Sequence, residues 1–407
     1  MDQNIEEFDL AIIGASLAGN YLCYLLSNTN LKIIVIEEHE QVGLPFQCAG
    51  IVSQKLSRLI DLPNEIILNR VKTAKIVGPS GVYIKLSGNE QPYIIDRIGL
   101  DRLFFNKIKQ KENVVYCFGE RFKTFKYVRD NRQKLVLIET SKRKLKVKML
   151  VGCDGPLSSV ARSLGVKNKN LYAIQIRIKG QFDENEAVMF FDKRWKELFG
   201  WIVPERNSIY RIGMASSKNI AKNFRVFLNR INLKMEQKID QQGGLIPYGL
   251  MKKLAFENIL LVGDSACQVK ATTGGGIIML LIAAKYAANC IKTCFKQENF
   301  SKKTIKKYYE IPCRAIIGRE LKTHYLIRLF LERFSETDFE KLFQIIKTTK
   351  MENHFSLYGD MDFPKALLFQ LLKLPFVISF FFKFLMKNPE LLVRLLLLIF
   401  FKVEVES

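Results

Sequence analysis

The chain has 407 residues, too many for one simple hydrophobic core, so two or three lobes are expected. Its eight cysteines include no CxxC pair, and its three histidines, His39, His324 and His354, do not sit at metal spacing; this argues against a disulfide framework and against a metal centre. The net charge of +23 suits an anionic partner, but the lysines are scattered rather than grouped with aromatics, so no nucleic-acid partner is expected. A solvated lysine-rich surface and a membrane surface both remain open.

The first element is Phe8 to Glu38. An apolar run, Leu10-Ala11-Ile12-Ile13, reads as a strand buried on both faces. Gly14-Ala15-Ser16-Leu17-Ala18-Gly19 follows, then a helical pattern through Leu22, Leu25 and Leu26. A second apolar run, Ile33 to Ile36, ends in Glu37-Glu38. Strand, glycine turn, helix, strand and acid make a dinucleotide-binding βαβ unit. Gly14 permits the tight turn, Gly19 lets the helix approach the sheet, and the helix start offers bare amides to a pyrophosphate. Glu37, 23 residues after Gly14, is placed to accept ribose hydroxyls. Ser16 stands where the strict pattern has glycine, and its hydroxyl can donate to a phosphate. The chain begins Met1-Asp2-Gln3 and enters this strand almost at once, so no amino-terminal signal is expected.

Pro45-Phe46-Gln47-Cys48-Ala49-Gly50 comes soon after the acid. Cys48 reads either as a thiol close to a reactive ring or as a small apolar filler. Residues 71–95 are strand-rich, and Val82, Ile84 and Leu86 share a face. A strand pair joined by Ser141-Lys142-Arg143-Lys144 ends at Gly152-Cys153-Asp154-Gly155, which sets an acid beside a glycine turn. A β-rich lobe with Phe199-Gly200-Trp201-Ile202-Val203-Pro204 in it precedes a second strand–acid–glycine–helix constellation. There Asn258 to Val262 runs into Gly263-Asp264, and Thr272-Thr273-Gly274-Gly275-Gly276-Ile277 opens a helix. Its bare amides suit an anion or a polar ring edge, and Asp264 can accept from a ribityl or ribose hydroxyl. One extended dinucleotide held by both constellations explains why a chain carries two.

The division expected is a nucleotide-binding lobe over 1–170 (with inserted β segments at 71–95) completed by 251–296, a β-rich lobe over 171–250, and a helical region over 297–407. In this last part Leu374 to Phe382 and Leu395 to Phe401 are apolar and edged by Lys373, Lys383, Lys387, Arg394 and Lys402. No uncharged run in it reaches the roughly 18–20 residues of a bilayer span, and Pro375 and Pro389 interrupt it. Such helices suit either a packed subdomain or an interfacial position on anionic lipid.

Taken together these motifs resemble the FAD-dependent geranylgeranyl reductases of archaeal membrane-lipid synthesis, within the group similar to para-hydroxybenzoate hydroxylase. The resemblance covers Asp9 to about Ala284. Pro45 to Gly50 fits the family's PxxCxG motif, Gly152 to Gly155 its DG motif, and Gly263-Asp264 with Gly274 to Ile277 its GD motif and glycine loop. Phe199 to Pro204 is similar to its YxWxFP motif, and Gly359-Asp360-Met361-Asp362 resembles a short acidic motif after the reductases' last helices. Phe199 and Val203 replace the tyrosine and phenylalanine of the tunnel motif, and Ala271 stands where the family often has proline. The resemblance implies a mixed α/β fold: a Rossmann-like FAD-binding domain, an interleaved β-sheet substrate domain and a C-terminal helical subdomain. It implies FAD held by Gly14, Ser16, Ala18, Gly19, Glu37, Glu38, Cys48, Ala49, Gly50, Arg97, Asp154, Asp264, Gly275, Gly276 and Ile277. Cys48, or a water near it, becomes the candidate proton donor, and Phe199, Trp201 and Pro204 would line a tunnel for a prenyl-chain lipid. A ferredoxin, a deazaflavin or NAD(P)H remains open as electron donor, and the place implied is the inner face of the cell membrane. The alternatives are a flavin monooxygenase of an aromatic or quinone substrate, a quinone-linked electron-transfer flavoprotein, and a flavin-free lipid-binding or scaffold protein.

Overall fold

The structure is a computed structural model that describes residues 5–88, 90–130, 133–234 and 238–400. The first strand, Glu6–Ile13, lies in the middle of an eight-stranded sheet. It pairs in parallel with Ile33–Ile36 on one side and with Lys144–Gly152 on the other, so that Ile12 faces Val35 and Val151. Val114–Cys117 adds beyond the former, and Ile259–Leu261 then Ala255–Phe256 add beyond the latter. Gln133–Thr140 and Phe122–Asp130 extend the sheet antiparallel.

Leu10, Ala11 and Ile12 are all fully buried, as a continuous apolar run requires when both sheet faces are covered. The cover includes the helices Leu17–Leu26 and Ile277–Gln297, which pack on each other, and Arg97–Ile108 against the former. Each such aliphatic side chain contributes about 1.5–3 kcal/mol by leaving water. Connections leave the first strand in both directions, so the carboxyl ends of Glu6–Ile13 and Lys144–Gly152 form the crevice where α/β sheets bind ligands.

A second sheet of seven strands runs in the order Lys238–Tyr248, Lys169–Lys179, Ile209–Ser216, Gly200–Pro204, Glu186–Phe190, Thr73–Val77, Tyr83–Ser87. The early strand-rich segment therefore splits. Thr73–Val77 pairs in parallel with Glu186–Phe190 and completes the second sheet, whereas Tyr93–Ile95 sits in a small sheet with Ile51–Val52 and Ile67–Arg70. Alternation along Gly200–Pro204 decides what each face touches. Ile202 points to the layer of Trp195, Phe224 and Phe227, while Trp201 and Val203 point the other way, to a cluster shared with Tyr325, Leu329, Phe339 and Phe384 of the C-terminal helices.

Candidate functional site

The glycine turn is built on close backbone approach. Gly14 has φ +101°, and a Cβ there would lie 2.5 Å from the Cys153 carbonyl oxygen at the end of the neighbouring strand. A Cβ on Gly19 would lie 1.9 Å from the Gly14 carbonyl. Glu37 faces this turn: its Oε2 accepts the Ala15 amide at 2.7 Å and its Oε1 accepts that of His39 at 3.0 Å. Glu38 points away to the surface and pairs with Arg121 at 3.4 Å. Asn20, fully buried, donates to the Ala15 carbonyl at 2.6 Å and accepts from Tyr116 at 2.9 Å. It holds the turn's shape, yet its sequence position carries no signal for this.

The second constellation meets the first. A Cβ on Gly263 would touch the Ala18 Cβ at 3.2 Å, and one on Gly276 would lie 3.4 Å from Asp264 Oδ1. Gly276 is the N-cap of Ile277–Gln297 and makes no side-chain cap, so that helix start presents its amides bare. Arg97 lies between the two turns. One of its guanidinium nitrogens is 3.3 Å from Ser16 Oγ, another pairs with Asp101 at 2.5 Å, and it also acts on Asp264. Burial pushes the Asp264 carboxyl up to about 6, against the pull of Arg97. Two helix starts of positive potential and a buried guanidinium thus converge with two carboxylates, Glu37 and Asp264. That donor and acceptor set fits the pyrophosphate, ribose and ribityl groups of FAD.

Asp154 is placed differently. Its carboxylate accepts from Ser158 Oγ at 2.5 Å and from the amides of Ser159 and Val160 at 2.6 and 3.1 Å, holding the start of the short helix Ser159–Ser163. Its contribution at the crevice is the backbone of Cys153 and Asp154 packed against Gly14.

The segment Pro45 to Gly50 is held from below by Arg211, a residue the sequence did not single out. The Arg211 guanidinium donates to the carbonyls of Ala49 at 2.9 Å and Ile95 at 3.2 Å. It pairs with Glu205, which also receives Arg177 at 3.1 Å. Burial alone would raise the Glu205 carboxyl, but these two guanidiniums hold it below the usual range. Gly50, at φ +75°, has no room for a Cβ because Arg211 fills the space. Cys48 Sγ accepts the Gly50 amide at 3.3 Å, and the Cys48 carbonyl accepts from Gln175, whose Oε1 takes Trp201 Nε1–H at 2.8 Å.

These parts open into one cavity of about 540 Å³. Cys48, Ala49 and Gly50 line it together with Gly274 and Gly275; Leu198, Phe199, Trp201 and Val203 form apolar wall, and Phe355, Leu357 and Leu367 come from the C-terminal helices. Pro204 is buried but lies outside the lining, its carbonyl accepting from Asn69 at 3.3 Å. Among the described residues no group of histidine, cysteine or carboxylate side chains could hold a metal ion.

No family model matches the chain. Among curated proteins it is 26% identical over 391 residues to an uncharacterised protein of Methanocaldococcus jannaschii, covering 91% of this chain and 96% of that one. It is 25% identical over 363 residues to digeranylgeranylglycerophospholipid reductase 1 of Methanococcoides burtonii, covering 84% and 88%. Over most of its length the chain is thus similar to several digeranylgeranylglycerophospholipid reductases. Among solved structures, a geranylgeranyl bacteriochlorophyll reductase-like protein of Thermoplasma acidophilum superposes with TM-score 0.79 at 21% identity, over 92% of this chain and 98% of that one. The p-nitrophenol 4-monooxygenase of Pseudomonas putida superposes at 0.68 and 14% identity, over 91% and 98%. The Rossmann-like mixed α/β fold expected from the sequence is thereby borne out.

Proposed function

We propose that the chain is an FAD-dependent reductase that saturates the double bonds of geranylgeranyl chains in membrane ether lipids or prenyl diphosphates. The observation that carries this reading is that a cysteine thiol and the glycine loop of a dinucleotide site line the same apolar cavity. The names of the homologues support it, and the thiol speaks for it over the monooxygenase alternative, whose chemistry has no need of one. Gly14, Ser16, Ala18, Gly19, Glu37, Arg97, Asp264, Gly275, Gly276 and Ile277 would hold the FAD. When bound and reduced, FAD supplies a hydride to one carbon of the alkene.

The chain's own residues do the rest. Phe199, Trp201 and Val203 seat the prenyl chain and exclude water. Trp201, pinned by Gln175, fixes the wall next to the Cys48 loop. Cys48 delivers the proton to the second alkene carbon, and the Gly50 amide that points at its sulfur stabilises the thiolate left behind until solvent reprotonates it. Electrons come from a donor such as a reduced ferredoxin, a deazaflavin or NAD(P)H.

The substrate's source is a lipid surface at the cytoplasmic face of the cell membrane. The helices Lys365–Leu371 and Pro375–Lys387 meet at a 96° bend. They leave Phe369, Leu372, Ile378, Phe382 and Met386 exposed, beside Lys373, Lys383 and Lys387. Incubating the purified protein with dithionite and a geranylgeranyl lipid, followed by mass spectrometry, tests the reading. Gain of H2 per alkene is expected; an unchanged lipid mass with flavin visibly reduced would overturn it.

A further inference from the structure

The segment Gly359 to Phe363, far along the chain from the Cys48 segment and the glycine loop, makes a set of buried polar contacts that the reaction described above does not use. Asp362 is fully buried. Its Oδ1 accepts from Lys270 Nζ at 2.6 Å and its Oδ2 from Ser53 Oγ at 2.5 Å. Its carbonyl accepts from His324 Nε2 at 3.1 Å, which leaves His324 Nδ1 to accept the Thr272 hydroxyl at 2.6 Å. Next to it, Asp360 Oδ1 accepts from Lys55 Nζ at 2.9 Å and from the amides of Asp362 and Phe363 at 2.8 and 3.0 Å.

Apart from His324, which comes from the helix Arg319–Leu331, the partner side chains belong to segments that frame the cofactor crevice. Ser53 and Lys55 follow directly on the Cys48 loop. Lys270 and Thr272 are part of the glycine loop, where the Lys270 amide donates to the Gly275 carbonyl at 3.1 Å and the Gly274 amide donates to the Lys270 carbonyl at 2.8 Å. The Lys270 side chain then runs directly behind Gly275: a Cβ on Gly275 would lie 3.0 Å from Lys270 Cε and 3.3 Å from Nζ. Gly275 and Asp360 both line the cavity. A buried ammonium therefore stands one backbone thickness from the surface that faces the cofactor, with Asp362 as its neutralising partner.

We infer that Asp362 and Lys270 are positioning residues that set the reducing power of the flavin: Asp362 cancels the Lys270 charge behind the glycine loop while clasping that loop to the Cys48 segment. The inference rests on the FAD-binding reading of the crevice. A positive charge close to a flavin favours its electron-rich reduced form and makes it a weaker hydride donor. An unactivated alkene is a poor hydride acceptor, so a site that reduces one is better served by a neutral pair than by a bare lysine. Placing the acid on the distant C-terminal region also makes that region's docking a condition for the strongly reducing state.

The measurement is the flavin midpoint potential of the FAD-loaded full chain, read by dye-equilibrated reduction without any prenyl substrate. Asp362→Asn keeps the shape and removes the charge, and its potential is expected to rise by about 30 mV or more, a tenfold shift in a two-electron equilibrium. Lys270→Met combined with Asp362→Leu removes both charges. Buried pairs replaced by apolar groups commonly fold, and the double variant is expected to return to the wild-type potential. If Asp362→Asn fails to fold, Lys270→Met alone keeps the test: it leaves the Asp362 charge uncancelled behind the glycine loop, its potential is expected to fall by about 30 mV or more, and an unchanged potential there would overturn the inference. An unchanged potential in yellow Asp362→Asn protein, or a double variant displaced from wild type, would overturn the inference while leaving the reductase reading intact. A wild-type chain that binds no flavin would overturn both.

Discussion

Cys48 owes its setting to groups that are remote in the chain: its carbonyl is held by Gln175, the next carbonyl by Arg211, and its sulfur faces the Gly50 amide. A proton donor placed this way is worth about 10²–10⁴ in rate. Cys48→Ser is accordingly expected to lose turnover by that factor while keeping flavin absorbance, and full turnover in the variant would remove the thiol from the mechanism. Asp264 offers a separate test through pH. Its folded-state pKa of about 6 lies above the ordinary carboxylate value of about 4. The stability it contributes is therefore complete at low pH and is lost as pH rises through 6. In FAD-free protein, Asp264→Asn should melt higher than wild type at pH 7 and show a smaller advantage at pH 4, while binding FAD less well. An equal difference at both pH values would contradict the assignment of burial as the cause.

At the scale of elements, the first turn has no slack. Gly19→Ala would set a methyl against the Gly14 carbonyl, and Gly14→Ala would add a side chain at φ +101°, a strain of about 1–3 kcal/mol on top of the clash. Both variants should purify without flavin, which absorbance on elution checks. This turn, its helix and the second glycine loop were legible because each is local: apolar runs, small residues and an acid lie within a few dozen residues of one another. What was not legible depended on long-range pairing. Thr73–Val77 looks like an insertion in the nucleotide-binding lobe, yet it pairs with Glu186–Phe190, and no feature within either segment names the other. Arg211, Asn20 and Lys270 read as ordinary polar residues until the fold brings them against backbone carbonyls and a buried acid. Glu38 and Pro204 stand apart from the cluster for a simple geometric reason. Glu38 sits one residue past Glu37 and points to the surface, and Pro204 alternates away from the face that Trp201 and Val203 present to the cavity.

For the whole molecule, the C-terminal helices do two things at once. Their buried side chains, among them Val377, Phe384 and Leu391, pack on the cluster that contains Trp201, while Phe369, Phe382 and Met386 face outward. The helix Ile277–Gln297 is long and apolar enough to cross a bilayer by composition, but 61% of its most apolar window is buried in the protein, which marks it as a core helix. Attachment through the exposed side chains and their lysines predicts salt-sensitive binding to anionic vesicles. Phe369→Glu with Phe382→Glu should reduce sedimentation with such vesicles at least tenfold while leaving the melting temperature within a few degrees; unchanged sedimentation would detach the membrane from the account. The proposition beneath all of this is that two glycine-bounded helix starts, the Leu17 and Ile277 ends, share one flavin beside Cys48. Titration of the FAD-free chain with FAD, followed by quenching of flavin fluorescence, tests it most directly. The account predicts one FAD per chain, with binding lost in Gly14→Val and equally in Gly276→Val; a wild-type chain that leaves the fluorescence unchanged, or a Gly276→Val variant that binds as wild type does, would contradict it.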